Sequence, residues 1–176
     1  MADNQTNHPT ESAAEPYALV IERIFDAPRE LVWKAWTEPA RLAQWWGPKG
    51  FDMQVARMDF RPGGVFHYSM RSPAGQELWG KFVYREIVAP ERLVFINSFA
   101  DEQGNVQRNP MSPTWPLEIL NVLTLAEDAG RTTLTIRGGP HSATEIERQT
   151  FAGAQANVQS GFKGTLDQLA DHLAKA

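Results

Sequence analysis

Apolar residues near the end of the chain recur with the spacing of a helix. They follow one another in steps of three or four residues, with Gln155 filling the one gap in the stripe: Phe151, Val158, Phe162, Leu166, Leu169 and Leu173. Such steps place side chains on one face of an α-helix. Charged residues such as Lys163 and Asp167 occupy the opposite face. The pattern predicts a long amphipathic helix that closes the chain.

Most of the sequence before this helix consists of β-forming runs. A first strand is predicted at residues 17–25, followed by two short helices at 28–37 and 40–46, the first capped by Asp26 and the two divided by Pro39. Six further strands are predicted at 51–60, 65–71, 77–88, 92–99, 115–125 and 131–137. Short turns join most of them, which favours antiparallel pairing. Residues 100–114 form a long loop, and Gly138-Gly139-Pro140 ends the last strand.

A capping box is predicted where the final helical region begins. Ser142 would be the cap, with Glu145 three residues later. Gly153 lies inside the helical pattern, so a kink or break is expected there.

Several short motifs, in this order and spacing, resemble one protein superfamily. They are Phe25-Asp26-Ala27-Pro28 with Val32-Trp33-Lys34-Ala35-Trp36-Thr37, Trp45-Trp46-Gly47-Pro48, Pro62-Gly63-Gly64, and Pro90-Glu91-Arg92-Leu93-Val94-Phe95. The chain is similar to the SRPBCC (START-like, helix-grip) superfamily, in the branch of CalC-like proteins and homologues of the Aha-type activator of heat-shock chaperone ATPase. The resemblance implies an α+β, Bet v-like fold. In it a curved antiparallel sheet of about six to seven strands wraps around the long C-terminal helix, with two short helices after the first strand.

Composition and charge narrow the classes of protein. Residues 17–176 fit a single domain, and the polar residues 1–16 read as a disordered tail without the features of a secretory signal. The absence of cysteine excludes disulfides and fits the cytoplasm. A net charge of -4 without a basic run argues against nucleic acid and anionic membranes as partners. No apolar run approaches the roughly 20 residues of a membrane span.

The predicted fold leaves space for a ligand between the sheet and the helix. Because alternate strand residues share a face, Phe66, Tyr68 and Met70 should point inward, with His67 and Ser69 outward and Trp79 facing away from Phe82. Asn and Gln on apolar faces need hydrogen-bond partners that a ligand could supply. The candidate ligand-binding residues are Trp33, Phe66, Tyr68, Met70, Phe82, Tyr84, Phe95, Asn97, Phe99, Trp115, Phe151, Gln155 and Phe162, with His141 as a further polar anchor. Any one Phe or Trp taken alone fits an ordinary core position better than a pocket, whereas Tyr68, Asn97 and Gln155 as a set favour a pocket.

Catalytic motifs are absent from the sequence. There is no G-x-S-x-G, no P-loop and no dinucleotide fingerprint. No two histidines have a metal-ligand spacing, so we expect no metal and no cofactor. An inward Glu77, Glu86 or Glu118 could serve as a base, and His67 or His141 as a proton shuttle, although each also fits a solvated surface position.

Three functions remain open. The first is binding of a small hydrophobic or aromatic molecule. The second is an enzyme of the cyclase, hydrolase or dehydratase type in the same cavity, and the third is a chaperone-associated regulatory module of the Aha type. A homodimer through the strand edges also stays open.

Overall fold

The structure, a computed structural model, describes residues 19–175. The predicted tail, residues 1–16, and the start of the predicted first strand lie outside this range. Within it the chain forms eight strands and four helices: β1 (Leu19–Phe25), α1 (Arg29–Thr37), α2 (Pro39–Trp45), β2 (Asp52–Met58), β3 (Val65–Arg71), β4 (Glu77–Val88), β5 (Arg92–Ala100), β6 (Val106–Gln107), β7 (Ile119–Asp128), β8 (Arg131–Pro140), α3 (Glu145–Gly153) and α4 (Gln155–Ala174).

The strands form one antiparallel sheet that curves around α4. Its order is β1-β8-β7-β5-β4-β3-β2, and the short β6 pairs with the end of β5. Register shifts between Val55 and Arg57 and between Tyr84 and Glu86 interrupt the pairing. Such bulges bend a strand and increase its twist, which helps the sheet to close over the helix. The predicted helix-grip fold is confirmed.

The last hairpin differs from its predicted bounds. β7 begins at Ile119 rather than at Trp115, so residues 115–118 lie outside the sheet. β8 continues through Gly138 and Gly139, because Gly138 pairs with both Leu19 and Asn121. The glycines therefore do not end the sheet. Gly138 leaves room for the side chain of Asn121 on the neighbouring strand, since a Cβ on Gly138 would lie 3.0 Å from Asn121 Oδ1.

The helix starts also correct the sequence analysis. Pro28, not Asp26, is the cap residue of α1, and no side chain caps that helix. The capping box of α3 is Thr144 with Glu147 rather than Ser142 with Glu145. Both pairs have the required spacing, but Ser142 has a φ of 51°, whereas Thr144 has the extended backbone of a cap.

The expected break in the final helix is confirmed. α3 ends at Gly153 and α4 begins at Gln155, with Ala154 between them. The stripe that starts at Phe151 is thus divided, and the buried face of α4 comprises Thr165, Leu166, Leu169 and Leu173.

A sealed aromatic core lies between the two short helices, the sheet and the end of α4. Its largest fully buried aromatic side chains are Trp36, Trp45, Phe66, Phe82 and Tyr84. Phe82 stacks on Phe95, with ring centroids 4.3 Å apart. This end of the molecule is filled, and the cavity described below lies toward the other end of the sheet.

The outer face of the sheet is partly covered. His67 and Ser69 do lie on the face opposite Phe66 and Tyr68, but both are buried. The turn that follows β5 folds over them, and His67 Nε2 lies 3.0 Å from the carbonyl oxygen of Asp101. Trp79 packs on the same imidazole, 4.9 Å between centroids. A position that faces away from the core is therefore not solvated here.

Among residues 19–175, no helix combines the length and apolarity needed to cross a membrane.

Candidate ligand-binding cavity

A cavity of about 280 Å³ separates the sheet from the first half of α4. Its wall is formed by the end of α2, strands β3, β4, β5 and β7, the segment before β7, and α4. The lining residues are Trp46, Gly47, Pro48, Tyr68, Met70, Trp79, Gly80, Asn97, Ser98, Phe99, Trp115, Pro116, Leu117, Ile119, Val158, Gly161, Phe162 and Thr165. The mixture of aromatic and aliphatic side chains with a few polar groups is typical of small-molecule sites.

Tyr68 and Gly80 shape the floor of the cavity. They are directly paired across β3 and β4, and a Cβ on Gly80 would lie 2.6 Å from Tyr68 Oη. The missing side chain therefore lets the phenol ring lie flat over β4. Burial raises the pKa of Tyr68 to about 12, partly offset by the neighbouring Trp46 indole. The hydroxyl thus stays protonated at neutral pH.

Trp46 joins the cavity to the sealed core. Its ring lies 5.2 Å from Phe82 and 6.4 Å from Phe162, both edge-on. It is also perpendicular to Tyr68 at 6.5 Å, but the contact falls short of a hydrogen bond, and the buried Nε1 of Trp46 has no partner among the described residues.

Two asparagines form a polar pair on the inner face of the sheet. Asn121 donates through Nδ2 to the carbonyl oxygen of Ile119 and to Asn97 Oδ1, each at 3.2 Å. Asn121 is buried, whereas Asn97 lines the cavity. The hydrogen bond from Asn121 therefore fixes the position of the Asn97 amide.

The carbonyl oxygen of Gly47 ties α4 to the end of α2. It accepts hydrogen bonds from Gln168 Nε2 at 2.7 Å and from Thr165 Oγ1 at 3.2 Å. Gly47 has a φ of 106°, a conformation that favours glycine. These bonds fix the corner where α4 meets the short helices.

The segment before β7 is held against α3 at the mouth of the cavity. Arg108 Nη1 donates to Glu147 Oε2 at 2.9 Å and to the carbonyl oxygen of Trp115 at 3.3 Å. Thr150 bonds Thr114, and the Trp115 ring lies 5.5 Å from Phe151. The mouth is thus anchored by polar contacts on its outer side.

Six of the sequence-predicted residues surround the cavity: Tyr68, Met70, Asn97, Phe99, Trp115 and Phe162. The other seven do not line it: Trp33, Phe66, Phe82, Tyr84, Phe95, Phe151 and Gln155. Five of these belong to the sealed core. Strand alternation predicts whether a side chain points inward, but it does not predict which end of the sheet that side chain occupies. Phe151 packs behind Trp115. Gln155 lies in the first turn of α4, at the helix break.

Several lining residues were not predicted. Trp46 and Val158 line the cavity although neither is among the candidate ligand-binding residues, and Val158 is part of the predicted apolar stripe. Trp79 and Ser98 belong to the opposite face, yet the cavity reaches them next to Gly80. Asn121 was also missed. Its signal is an amide on an otherwise apolar face that includes Ile119 and Leu123.

Charged groups are absent from the described wall of the cavity. Glu77 and Glu86 pair with Arg71 and Arg92 on the surface, and neither they nor Glu118 lines the cavity. His67 and His141 also lie outside it. Residues 19–175 contain no cluster of three or more His, Asp or Glu that could hold a metal ion.

The comparisons with known proteins agree with this fold. The chain is similar to a protein from Arthrobacter aurescens, with 28% identity over 92% of this chain and 88% of that one, at a TM-score of 0.76. A Mycobacterium smegmatis protein matches with 26% identity over 92% and 93%, at 0.73. DynU16, from the dynemicin biosynthetic locus, shares the fold at 24% identity over 89% of this chain and 47% of its own, at 0.59. No curated protein matches the chain.

A family model extends the match over most of the sequence. The model described as Activator of Hsp90 ATPase homolog 1-like protein matches residues 26–174. This range includes both short helices, the sheet after β1 and the C-terminal helix. The chain therefore belongs to the family of Activator of Hsp90 ATPase homolog 1-like proteins, within the SRPBCC superfamily.

Proposed function

We propose that the protein binds a small, uncharged and mostly apolar molecule in the cavity between the sheet and α4. The observation that supports this most strongly is the wall, which is rich in aromatic residues and has no charged side chain among the described residues. An apolar ligand gains free energy there by leaving water, whereas an ion would lose its hydration without a counter-charge.

Acid–base catalysis in this cavity is less well supported. A general acid or base needs a titratable group near the reacting atoms, and Tyr68 is the ionisable residue of the described wall. Its raised pKa keeps it neutral. We therefore place binding ahead of an enzyme of the cyclase, hydrolase or dehydratase type.

Native mass spectrometry of the protein, purified without added ligand, is the direct test. An extra mass that persists in the folded protein would identify the bound molecule. Diphenylmethane, a neutral two-ring hydrocarbon, then serves as a probe whose binding is followed by the fluorescence of Trp46 and Trp115 in the wall. If the purified protein shows no extra mass and diphenylmethane fails to bind up to its solubility limit, the proposal is wrong.

Replacement of Trp115 by alanine should weaken diphenylmethane binding far more than it lowers stability. Trp115 lines the cavity next to its mouth, and loss of an aromatic anchor costs on the order of 2 kcal/mol, or at least about tenfold in Kd. Met111→Ala is the matched control, because Met111 belongs to the same loop, is 82% exposed and does not line the cavity.

The measurements are Kd by fluorescence titration and the midpoint of urea unfolding for both variants. Unchanged affinity with a marked loss of stability in Trp115→Ala would show that Trp115 serves only packing.

A further inference from the structure

Asn97 offers hydrogen-bond donors to the cavity. Its Oδ1 already accepts from Asn121 Nδ2, and its Nδ2 makes no hydrogen bond within residues 19–175. Asn97 Nδ2 is not one of the buried polar atoms that lack a hydrogen-bond partner. It is therefore accessible, and it belongs to a residue that lines the cavity. Both of its N–H groups are therefore free for a ligand.

The orientation of this amide is fixed by its surroundings. Asn121 must direct its Nδ2 toward the carbonyl oxygen of Ile119, because its own Oδ1 would be repelled there. The same Nδ2 then meets Asn97, which must present oxygen rather than a second donor. The carbonyl of Ile119 thus determines, through Asn121, that Asn97 turns its nitrogen to the cavity.

The other polar atoms near the cavity include further donors. The Tyr68 hydroxyl stays protonated, and the buried Nε1 of Trp46 is a donor that meets no acceptor with hydrogen-bond geometry among the described residues. The Thr165 hydroxyl already donates to the carbonyl oxygen of Gly47. The described wall contains no carboxylate or imidazole to accept a bond, and no ammonium or guanidinium to neutralise an anion.

We infer that the ligand is an uncharged molecule with a carbonyl oxygen, or an equivalent neutral acceptor, that binds Asn97 Nδ2. This inference rests on the proposed function and specifies the chemical class of its ligand. A hydrocarbon that fills the same space displaces water from Asn97 and leaves the N–H groups unpaired, which is costly. A ketone would replace the hydrogen bond that Asn97 Nδ2 loses with the water. A carboxylate would enter the cavity with no cationic side chain in the described wall to neutralise it.

Benzophenone and diphenylmethane form a matched pair of probes, since they differ in the carbonyl group that joins their two rings. We expect the wild-type protein to bind benzophenone about tenfold more tightly than diphenylmethane. This is the factor expected when one buried donor makes a hydrogen bond instead of lacking a partner. Asn97→Leu should abolish the preference, so that the two probes bind with similar affinity. Phe99→Leu is the control, because Phe99 lines the same wall on the same strand. It should weaken both probes by a similar factor.

A vibrational measurement on the wild-type protein does not depend on any variant. The carbonyl stretch of ¹³C-labelled benzophenone, observed by difference infrared spectroscopy, should shift to lower frequency than in a hydrocarbon solvent. Asn97→Asp, measured at a pH at which the new carboxyl group is ionised, keeps the acceptor for Asn121 but removes the donor, so it should lose the shift even if Asn97→Leu does not fold.

The outcomes separate the inference from the function on which it rests. If both probes bind equally and the stretch is unshifted, the cavity binds apolar molecules but the inferred ligand class is wrong. If neither probe binds and the purified protein shows no extra mass, the inference and the proposed function both fail. Tighter binding of benzophenone with a shift that Asn97→Asp removes would support both.

Discussion

At the scale of single residues, Gly80 decides how the floor of the cavity is built. Tyr68 lies directly over it, and an added Cβ would come within 2.6 Å of Oη and 2.7 Å of Cζ. Because Phe66 and Phe82 pack around Tyr68, 4.8 and 5.8 Å away, the ring has little room on the core side. A methyl group at residue 80 would therefore push the phenol toward the cavity.

Gly80→Ala should destabilise the protein by about 1–3 kcal/mol, the usual cost of overpacking, and weaken diphenylmethane binding. The measurements are urea unfolding and fluorescence titration. Gly164→Ala in α4 is a suitable control, because nothing lies within 4 Å of its added Cβ and alanine favours a helix by about 0.5–1 kcal/mol.

A shorter side chain at residue 68 should relieve this clash. In a double-mutant cycle, Tyr68→Leu combined with Gly80→Ala should cost clearly less than the sum of the single changes. Strict additivity would mean that the two residues do not interfere.

At the scale of elements, the capping box of α3 also anchors the mouth of the cavity. Glu147 Oε1 accepts from the Thr144 backbone N–H at 3.1 Å, while Oε2 accepts from Arg108. The Thr144 backbone bond is the main cause that lowers the pKa of Glu147, with Arg108 contributing, although burial opposes the shift. A carboxyl group whose pKa falls on folding stabilises the protein above its unfolded pKa, and this stabilisation disappears as the pH falls through the folded value.

Glu147→Gln should therefore be less stable than the wild type at neutral pH, and the difference should shrink on acidification below about pH 4.3, the ordinary pKa of Glu. Glutamine can still complete the capping box, so the change tests the charge rather than the cap. Thermal unfolding over a series of pH values checks this.

Glu145→Gln removes the same charge from the same turn of α3 without changing the capping box, and is the control. An equal pH dependence in both variants would point to a general effect of charge near the start of α3.

Elements were more predictable than the site. The bounds of β3 and β4 agree with the sequence analysis because turns with Gly and Pro flank alternating runs. Ser142 and Thr144 offered two equally spaced capping boxes, and only the backbone conformation chose between them. Phe82 and Phe99 share the inner face, yet one is sealed in the core and the other lines the cavity. Their depth depends on the helices packed over the sheet, which strand periodicity does not record.

At the scale of the whole molecule, charge lies outside the cavity and apolar groups lie inside it. Arg23 pairs with Asp167 at 2.6 Å and Lys163 with the same carboxylate at 3.1 Å on the exposed side of α4. The inner side of this helix presents Val158, Phe162 and Thr165 to the cavity. Binding of a neutral molecule should therefore be insensitive to the ionisation of the surface.

The Kd of benzophenone should stay constant from about pH 6 to 9, since histidines titrate in this range but none lines the described cavity. Isothermal titration at several pH values provides the measurement. A change of tenfold or more in Kd across this range would instead indicate that a titrating group reaches the ligand.

Apart from Tyr68, the buried residues of the sealed core do not line the described cavity. None of the largest fully buried side chains, such as Trp36, Trp45 and Leu169, lines the described cavity. Substitutions in the wall away from Tyr68 and Gly80 therefore leave these core side chains in place. Natural selection can therefore act on the choice of cargo at one set of positions and on folding at another. A lineage with this architecture can exchange its ligand through a series of ancestors that all remain folded.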